Sequence, residues 1–580
     1  MGKEMKNTVL VLLIASITPG GFGGSVEAAD FYMATNGSDA TGDGSLNNPW
    51  HTLQHSIAQM SGGDTLIILD GVYAGSENVM DYDHRLPSGN NNSYTLVKAE
   101  HDGKVIFDGE GVRSPFQIHG GGGAGDVSYL QFEGLGVCNS SSTLISIINA
   151  NHIKMFRCFC YDTTYIGHGG DGFAVGSSSY VLLEDCWSWG DARKHFYAAK
   201  SAEKVIFRRC VVRHDRHFDY FDQEAFKLYD CKETEVQNCI SIDGDQEDYY
   251  TGGTAAARSY GIRDTAEGFS LENTSVRGCI SVGNTGMMGA LGSNYNPTTF
   301  IDFIHWDSVW GNRLRGSGAV FDHCTLGNVS GDGTLSPLAY LEGNDPITNS
   351  VLYNSYRGIW NAVGNDCNAL YNLDIEYTGS AAGTHSYCDA NSNAIDPLDG
   401  IPGNGVTALK YLPRIENGSD LDGTASDGGD RGATILHRIG VNGTLWGEEG
   451  YNEVTSEPLW PFPNEDLIKE LMSHYYYDNV SDGLDPLRGD RGFCANGTGL
   501  YGGNITLTSY IWEYLGNPCP PEICDYAPPY HQADTNQDSV INMPELIAFI
   551  ARWKTGDGVT KQEVEEARDI WFTGGFYCGS

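Results

Sequence analysis

"LLEDCWSWGDARKHFYAAKSAEKVIFRRCVVR", Leu182 to Arg213, writes one short phrase twice: an alternating apolar run, a polar bend residue, a cysteine, then a second short strand. The phrase returns four more times, as "KMFRCFCYD" around Cys158, "EVQNCISI" around Cys239, "SVRGCISV" around Cys279 and "VFDHCTLG" around Cys324. The spacings between these cysteines are 28, 24, 29, 40 and 45 residues. Strands recurring at such a period without a helical pattern are the signature of a solenoid, here an all-β parallel β-helix with longer loops in its later turns. Stacked turns lie about 4.8 Å apart, so equivalent cysteines form an internal column. A disulfide tolerates that spacing, but small thiols packing as hydrophobes are the simpler reading. The chain has 15 cysteines, so at least one lacks an intrachain partner.

Composition narrows the rest. A length of 580 residues exceeds one compact domain and suits an elongated repeat. With 75 glycines and 19% charged residues the chain is turn-rich and strand-rich, neither a helical bundle nor a disordered chain. A balance of 35 Lys+Arg against 75 Asp+Glu gives a net charge of −40, a field that repels phosphate and excludes nonspecific nucleic-acid binding. "MGKEMK", the apolar "TVLVLLIASI" and "VEA" ending at Ala28 read as a signal peptide, residues 1–28. The expected product is secreted, extracellular or held at the cell surface, with no transmembrane segment after signal removal.

"FYMATNGSDATGDGSLNNPWHTLQHSIAQMSGGDTLIILDGVYAG", Phe31 to Gly75, resembles the opening turn of secreted right-handed β-helix proteins. Pectate-lyase-like and chondroitinase-B-like polysaccharide lyases are among them. In those families an Asn-Gly-Ser-Asp turn precedes a proline and a short amphipathic helix that plugs the end of the solenoid. Asn36 to Asp39, Pro49, Leu53, Ile57, Gly63-Asp64 and Gly71 to Tyr73 occupy that pattern. Such a cap covers an otherwise unpaired edge and an apolar cross-section. The resemblance implies a right-handed parallel β-helix over residues 29–400, a fold that carries lyases, hydrolases and noncatalytic adhesins alike.

A basic island interrupts the acidic chain. Arg193, Lys194, Lys200, Lys204, Arg208, Arg209, Arg213 and Arg216 fall within 24 residues that hold only two acids, Glu203 and Asp215. A positive strip suits a polyanionic glycan. Elimination from a uronate needs a cation to neutralise its carboxylate, a base for the C5 proton and an acid for the leaving oxygen. Arginine serves the first by bidentate contact, and lysine serves as base when neighbouring cations lower its pKa. The candidate catalytic residues are Lys200, Lys227 and Arg213, and the candidate polysaccharide-binding residues are Arg193, Lys194, Arg209 and Arg216. A solvated face is the alternative for the island, and a solubilising loop for Asp243, Asp245, Glu247 and Asp248, which would otherwise hold Ca²⁺. His195, His214 and His217 read as surface or hydrogen-bonding residues, and the aromatics mostly as core. "GDGFAV", Gly170 to Val175, resembles the entrance to the calcium site of one lyase family, but that family's Asp-rich segment in the next turn is replaced by "GDARKH". Those metal ligands therefore do not carry over.

Beyond residue 400 the phrase fades. Residues 401–517 form an accessory segment expected to pack on the last turns, with one helix from Asn464 as N-cap and another stopped by Gly516 and Pro518. Residues 518–529 read as a stiff linker in which Cys519 and Cys524 lie close enough to bridge. In 530–580, "DTNQDSVINMPE" sets Asp534, Asn536, Asp538, Val540 through its carbonyl, Asn542 and Glu545 at the ligand positions of a calcium loop. Ser539 stands where glycine is usual. Amphipathic helices follow, the second opened by a Thr560 to Glu563 capping box, and the whole resembles a dockerin-type EF-hand module, implying a protein or cell-surface partner. Two functional readings result: a calcium-assisted polysaccharide lyase, or a noncatalytic glycan-binding adhesin or self-associating surface rod. No triad, nucleophile elbow or zinc spacing favours another hydrolytic chemistry.

Overall fold

The computed structural model describes residues 28–121, 127–163, 170–213, 215, 223–244, 257–263, 272–284, 288–290, 298–309, 311–314, 318–331, 337–341, 345–400, 406–474, 489–524, 532–535, 540–556 and 558–572. The signal-peptide reading of residues 1–28 lies outside the described residues except for Ala28.

The solenoid is a right-handed parallel β-helix. Among the described residues its strands form a 12-stranded parallel sheet and a 21-stranded one whose pairings run in two columns, giving three faces. Each phrase turns the same corner. The polar residue before the cysteine has a left-handed backbone in every case: Arg157, Asp185, Arg209, Asn238, Gly278 and His323 have φ between 49° and 60°. The same bend occurs at Asp302, followed by Phe303, whose carbonyl accepts the Thr325 N–H as the Cys279 carbonyl accepts that of Ile304. The spacing of 45 residues thus spans two turns, one of which carries phenylalanine in the cysteine position.

The cysteine column is a ladder of hydrogen bonds with no disulfide in it. The Cys239 sulfur accepts the Cys210 N–H at 3.3 Å and its thiol donates to the Phe207 carbonyl at 3.3 Å. Cys279 does the same for Cys239. Past Cys324 the ladder continues through Ser350, Asn368 and Ser386, each accepting the N–H of the preceding rung. Burial pushes the thiols of Cys158, Cys186, Cys210 and Cys239 well above their ordinary range, so they stay protonated and unreactive. The one disulfide among the described residues joins Cys519 to Cys524.

The N-terminal plug forms as expected. Helix α1, Leu53–Gln59, buries Leu53 and Ile57 and is capped by the Thr52 side chain. Inside the prism, Phe173, Phe196 and Phe226 stack at 4.8 and 5.2 Å on successive turns.

The accessory segment packs on the last turns as expected, with the Gly432 N–H on the Asn349 carbonyl and Arg431 on that of His385, and then runs back along the solenoid toward its early turns. Lys104 pairs with Glu470, Lys154 donates to the Gly443 carbonyl, Arg277 to that of Asn452, and Tyr514 to Asp307. Its reason for lying there is apolar. In "WSW", "ISI" and "ISV" the large residues point outward and the serines inward, so Trp187, Trp189, Ile240, Ile242, Ile280 and Val282 form a bare stripe on the second face. Leu459, Trp460, Phe462, Ile468, Met472, Ile511 and Trp512 cover it. The accessory helices are α2, Glu465–Ser473, and α3, Leu507–Trp512. Asn464 precedes α2 but is left-handed and makes no side-chain cap. Cys519 is buried in this same core, so the first half of the expected linker belongs to the accessory segment.

Glu513, just after α3, is 6% exposed, and its Oε1 has no hydrogen-bond partner among the described residues. Burial pushes its carboxyl up to about 7, with the Cys519 N–H pulling the other way. The folded chain holds this proton to higher pH than the unfolded chain, so the group's contribution is fully present below the unfolded value and is lost as pH rises toward 7. Glu513→Gln is expected to raise the melting temperature at about pH 8 and to leave it unchanged at about pH 4. Thermal unfolding of both proteins at the two pH values checks this.

Candidate functional site

The basic island does not line one groove. It winds round the prism, and the faces divide it. Lys200 is exposed at the bend after strand Lys194–Ala199, left-handed, with its carbonyl accepting the Ser177 N–H and hydroxyl. Arg209 is the bend residue before Cys210 and is fully buried against Asp185, at 2.6 and 3.1 Å, and Glu184. Arg213 lies on the second face beneath the accessory segment. It donates to Asp215 at 3.0 Å and to the carbonyls of Gly489 and Met472, while Asp215 also holds Arg491. The expectation that Arg209 binds glycan and Arg213 acts in catalysis is therefore corrected: both are sealed from solvent by carboxylates and by the fold itself. Arg208 behaves likewise, bound to Glu184 and to the carbonyls of Val441, Thr444 and Tyr451. Arg216, Asp245, Glu247, Asp248, His214 and His217 lie outside the described residues.

What remains converges on the third face. Strands Asp171–Gly176, Lys194–Ala199 and Gln223–Tyr229 stack in register, with Asp171 opposite Lys194 opposite Glu224, and Ala174 opposite Tyr197 opposite Lys227. Lys194 Nζ lies 3.4 Å from Asp171 and 4.3 Å from the centre of the Tyr197 ring. Lys227 pairs with Glu224, the two side chains spanning three residues of strand to meet. Strand alternation alone places Glu224 and Lys227 on opposite faces; their stems close the gap. Arg193 is half-buried at the head of the strand. Burial raises the Asp171 carboxyl, with Lys194 and then Arg193 opposing, and burial raises the Tyr197 phenol. Sequence reading missed Tyr197 and gave Asp171 no partner. The signal was the phenylalanine shared by "DGFAV", "KHFYAA" and "EAFKLY", which fixes the register of all three.

His195 faces the interior instead, its Nδ1 2.8 Å from Ser188 Oγ. Asp243 is also unavailable for metal. Its carboxylate accepts the Phe493 N–H and the Tyr510 hydroxyl at 2.9 Å each.

In the C-terminal module, α4, Met543–Thr555, and α5, Lys561–Phe572, pack through Leu546, Phe549, Val564 and Ala567. Asp534 and Glu545 are buried. The Glu545 carboxylate reaches both ends of the loop, accepting the N–H groups of Thr535 and Asn542 at 3.0 and 3.1 Å, while the Asn542 side chain caps α4. Val540 takes part in a β-bridge; Asn536 and Asp538 lie outside the described residues. The Thr560 to Glu563 capping box forms.

The fold defines the class, a right-handed parallel β-helix protein. Within that class, residues 31–312 match the family described as Pel9A-like, right handed beta helix region. Similar solved structures include pectate lyase Pel9A, at 13% identity over 70% of this chain and 95% of that one with a TM-score of 0.44. A rhamnogalacturonan lyase matches at 15% over 51% and 82%, TM-score 0.37. A PL6 alginate lyase in complex with a trisaccharide matches at 10% over 66% and 91%, TM-score 0.37. No curated protein matches the sequence.

Replacing Arg213 by alanine takes from buried Asp215 one of its two guanidinium partners, leaving Arg491, and a loss of about 3 kcal/mol is expected. Lys200→Ala, at an exposed bend, is expected to stay within about 0.5 kcal/mol of the parent. Urea unfolding of the two variants measures the difference.

Proposed function

We propose that the protein is a secreted polysaccharide lyase that cleaves a uronate-containing glycan by β-elimination on the third face, with Lys227 as the base. The observation that carries this reading is the in-register cluster of Lys194, Tyr197, Glu224 and Lys227 on adjacent turns. Lys194 and Arg193 neutralise the uronate carboxylate and acidify C5. Lys227 Nζ, its ammonium having first released a proton to solvent, takes the C5 proton, the C5–H pair becomes the C4=C5 double bond, and the C4–O bond breaks. The leaving oxygen receives its proton from water or from the Tyr197 hydroxyl, which burial keeps protonated. Lys200 drops out as base, because it sits three residues further along the strand at a bend that turns away from Lys227.

Calcium enters this proposal at the C-terminal loop. Asp534, the Val540 carbonyl, Asn542 and Glu545 offer the hard oxygens that the ion takes, and the helices that follow present a dockerin-like surface for a protein or cell-surface partner. A second reading is favoured by one observation: both site ammoniums are already paired with carboxylates, Lys194 with Asp171 and Lys227 with Glu224. A noncatalytic, glycan-binding rod needs nothing more.

Ultraviolet absorbance of unsaturated uronate ends, followed on a panel of uronate polysaccharides, separates the two. Lys227→Ala is expected to lower the rate by about 10²–10⁴-fold, and absorbance that never rises on any polymer while glycan binding persists would establish the rod. Glu224→Gln removes the anion that favours the Lys227 ammonium, so the rising limb of the pH–rate profile is expected to move to lower pH.

A further inference from the structure

The structure assigns the cation of the third face to the chain itself: Lys194, with Arg193, stands where a lyase of this fold would place a divalent metal, so the solenoid's chemistry runs without calcium. This rests on the lyase reading above and adds to it the source of the positive charge.

The sequence already shows the departure. Gly170 to Phe173 opens as a calcium site would, and the next turn keeps a single carboxylate, Asp191, before offering Arg193 and Lys194. The register makes the substitution spatial. Asp171 faces Lys194 across one rung, Phe173 faces Phe196 and locks the alignment, and Glu224 follows on the next rung. A calcium ion needs six to eight oxygens at about 2.3–2.6 Å. Here the Asp171 carboxylate has an ammonium 3.4 Å away, Lys194 is 9% exposed at its side chain, and the next carboxylate, Glu224, holds Lys227. A dication at Asp171 would lie beside two fixed positive charges, in a buried setting where their repulsion is weakly screened. Asp243, the one described residue of the acidic group that the sequence offers to calcium, is spent on the accessory segment.

The consequence is a site whose charge is permanent. An ammonium held over the Tyr197 ring does not exchange with the medium, whereas a bound metal does. Calcium then acts on this protein through its C-terminal loop and not through the cluster of the third face.

The test uses the full chain with the loop silenced by Asp534→Ala and Glu545→Ala, titrated with CaCl₂ by calorimetry. No calcium site that depends on Asp171 is expected. Adding Arg193→Asp and Lys194→Asp is expected to create one, lost again with Asp171→Asn. A calcium bound by the loop-silenced chain and abolished by Asp171→Asn alone overturns the proposal, and that arm leaves Arg193 and Lys194 untouched, so it decides even if the double aspartate variant does not fold. In the absorbance assay, saturating EDTA is expected to change the rate of the parent by less than about twofold, while Lys194→Gln lowers it about 100-fold. A rate abolished by EDTA and restored by calcium in the loop-silenced chain also overturns it. If no polymer is cleaved at all, the lyase reading fails, and the calorimetry still decides whether Lys194 or a metal occupies the site.

Discussion

The whole molecule depends on the parallel main-chain ladder, which fixes successive turns about 4.8 Å apart and stacks each side chain on its counterpart one turn away. Nothing on a rung is chosen independently. The bend residue must tolerate a left-handed backbone, which Asp, Asn and Gly do most readily, yet Arg157, Arg209 and His323 are held there too. Their neighbours explain it: Arg209 is clamped by Asp185, the bend residue one turn earlier, and Arg157 by Asp102 and Glu133. The residue after the bend points inward, where a small side chain that also bonds the main chain suits it, although Phe303 fills the position on one turn. Cysteine meets this through most of the rod, and serine and asparagine meet it at the C-terminal end.

Stacking at that distance also governs charge. Like charges on adjacent turns repel strongly when buried, so buried ionic rows must alternate in sign. Asp171, Lys194 and Glu224 obey this along the third face, as do Glu184 and Arg208 on the first. The buried arginines of the island are answers to carboxylates in neighbouring turns and to bare carbonyls of the accessory segment. Removing a partner from such a pair costs more than the pair contributes, which is why the accessory segment, with Arg491 on Asp215 and the Phe493 N–H on Asp243, is integral to the solenoid.

The repeat, the plug and the C-terminal helices were legible because each has its own local signature: a period, a capped amphipathic turn, a capping box. The Phe303 rung was not, since it lacks the cysteine that marks the others. The path of the accessory segment was hidden for a related reason. "WSW" and "ISI" read as ordinary alternating strands, and only the structure shows that the serines are the inward residues and that the outer row is buried by residues 459–512. The island misled because contiguity in sequence means dispersal in a three-faced coil. Lys194, Lys200, Arg209 and Arg213 span 20 residues, which is nearly one full turn, so they point in different directions.

Under the lyase reading, the surviving cluster reconciles a negatively charged protein with a negatively charged ligand. A net charge of −40 repels a polyuronate at long range, but salt screens that repulsion beyond about 8–10 Å, and at contact only the local groups count. There the ammoniums of Lys194 and Lys227 already have carboxylate partners. A uronate in the proposed site therefore binds by exchange, taking the Lys194 ammonium from Asp171 in place of bare charge. Under the lyase reading, exchange is nearly neutral for an ordinary anion and favourable only for one whose shape also fits the rungs, so the pairing of Lys194 with Asp171 would favour a fitted uronate over a simple salt.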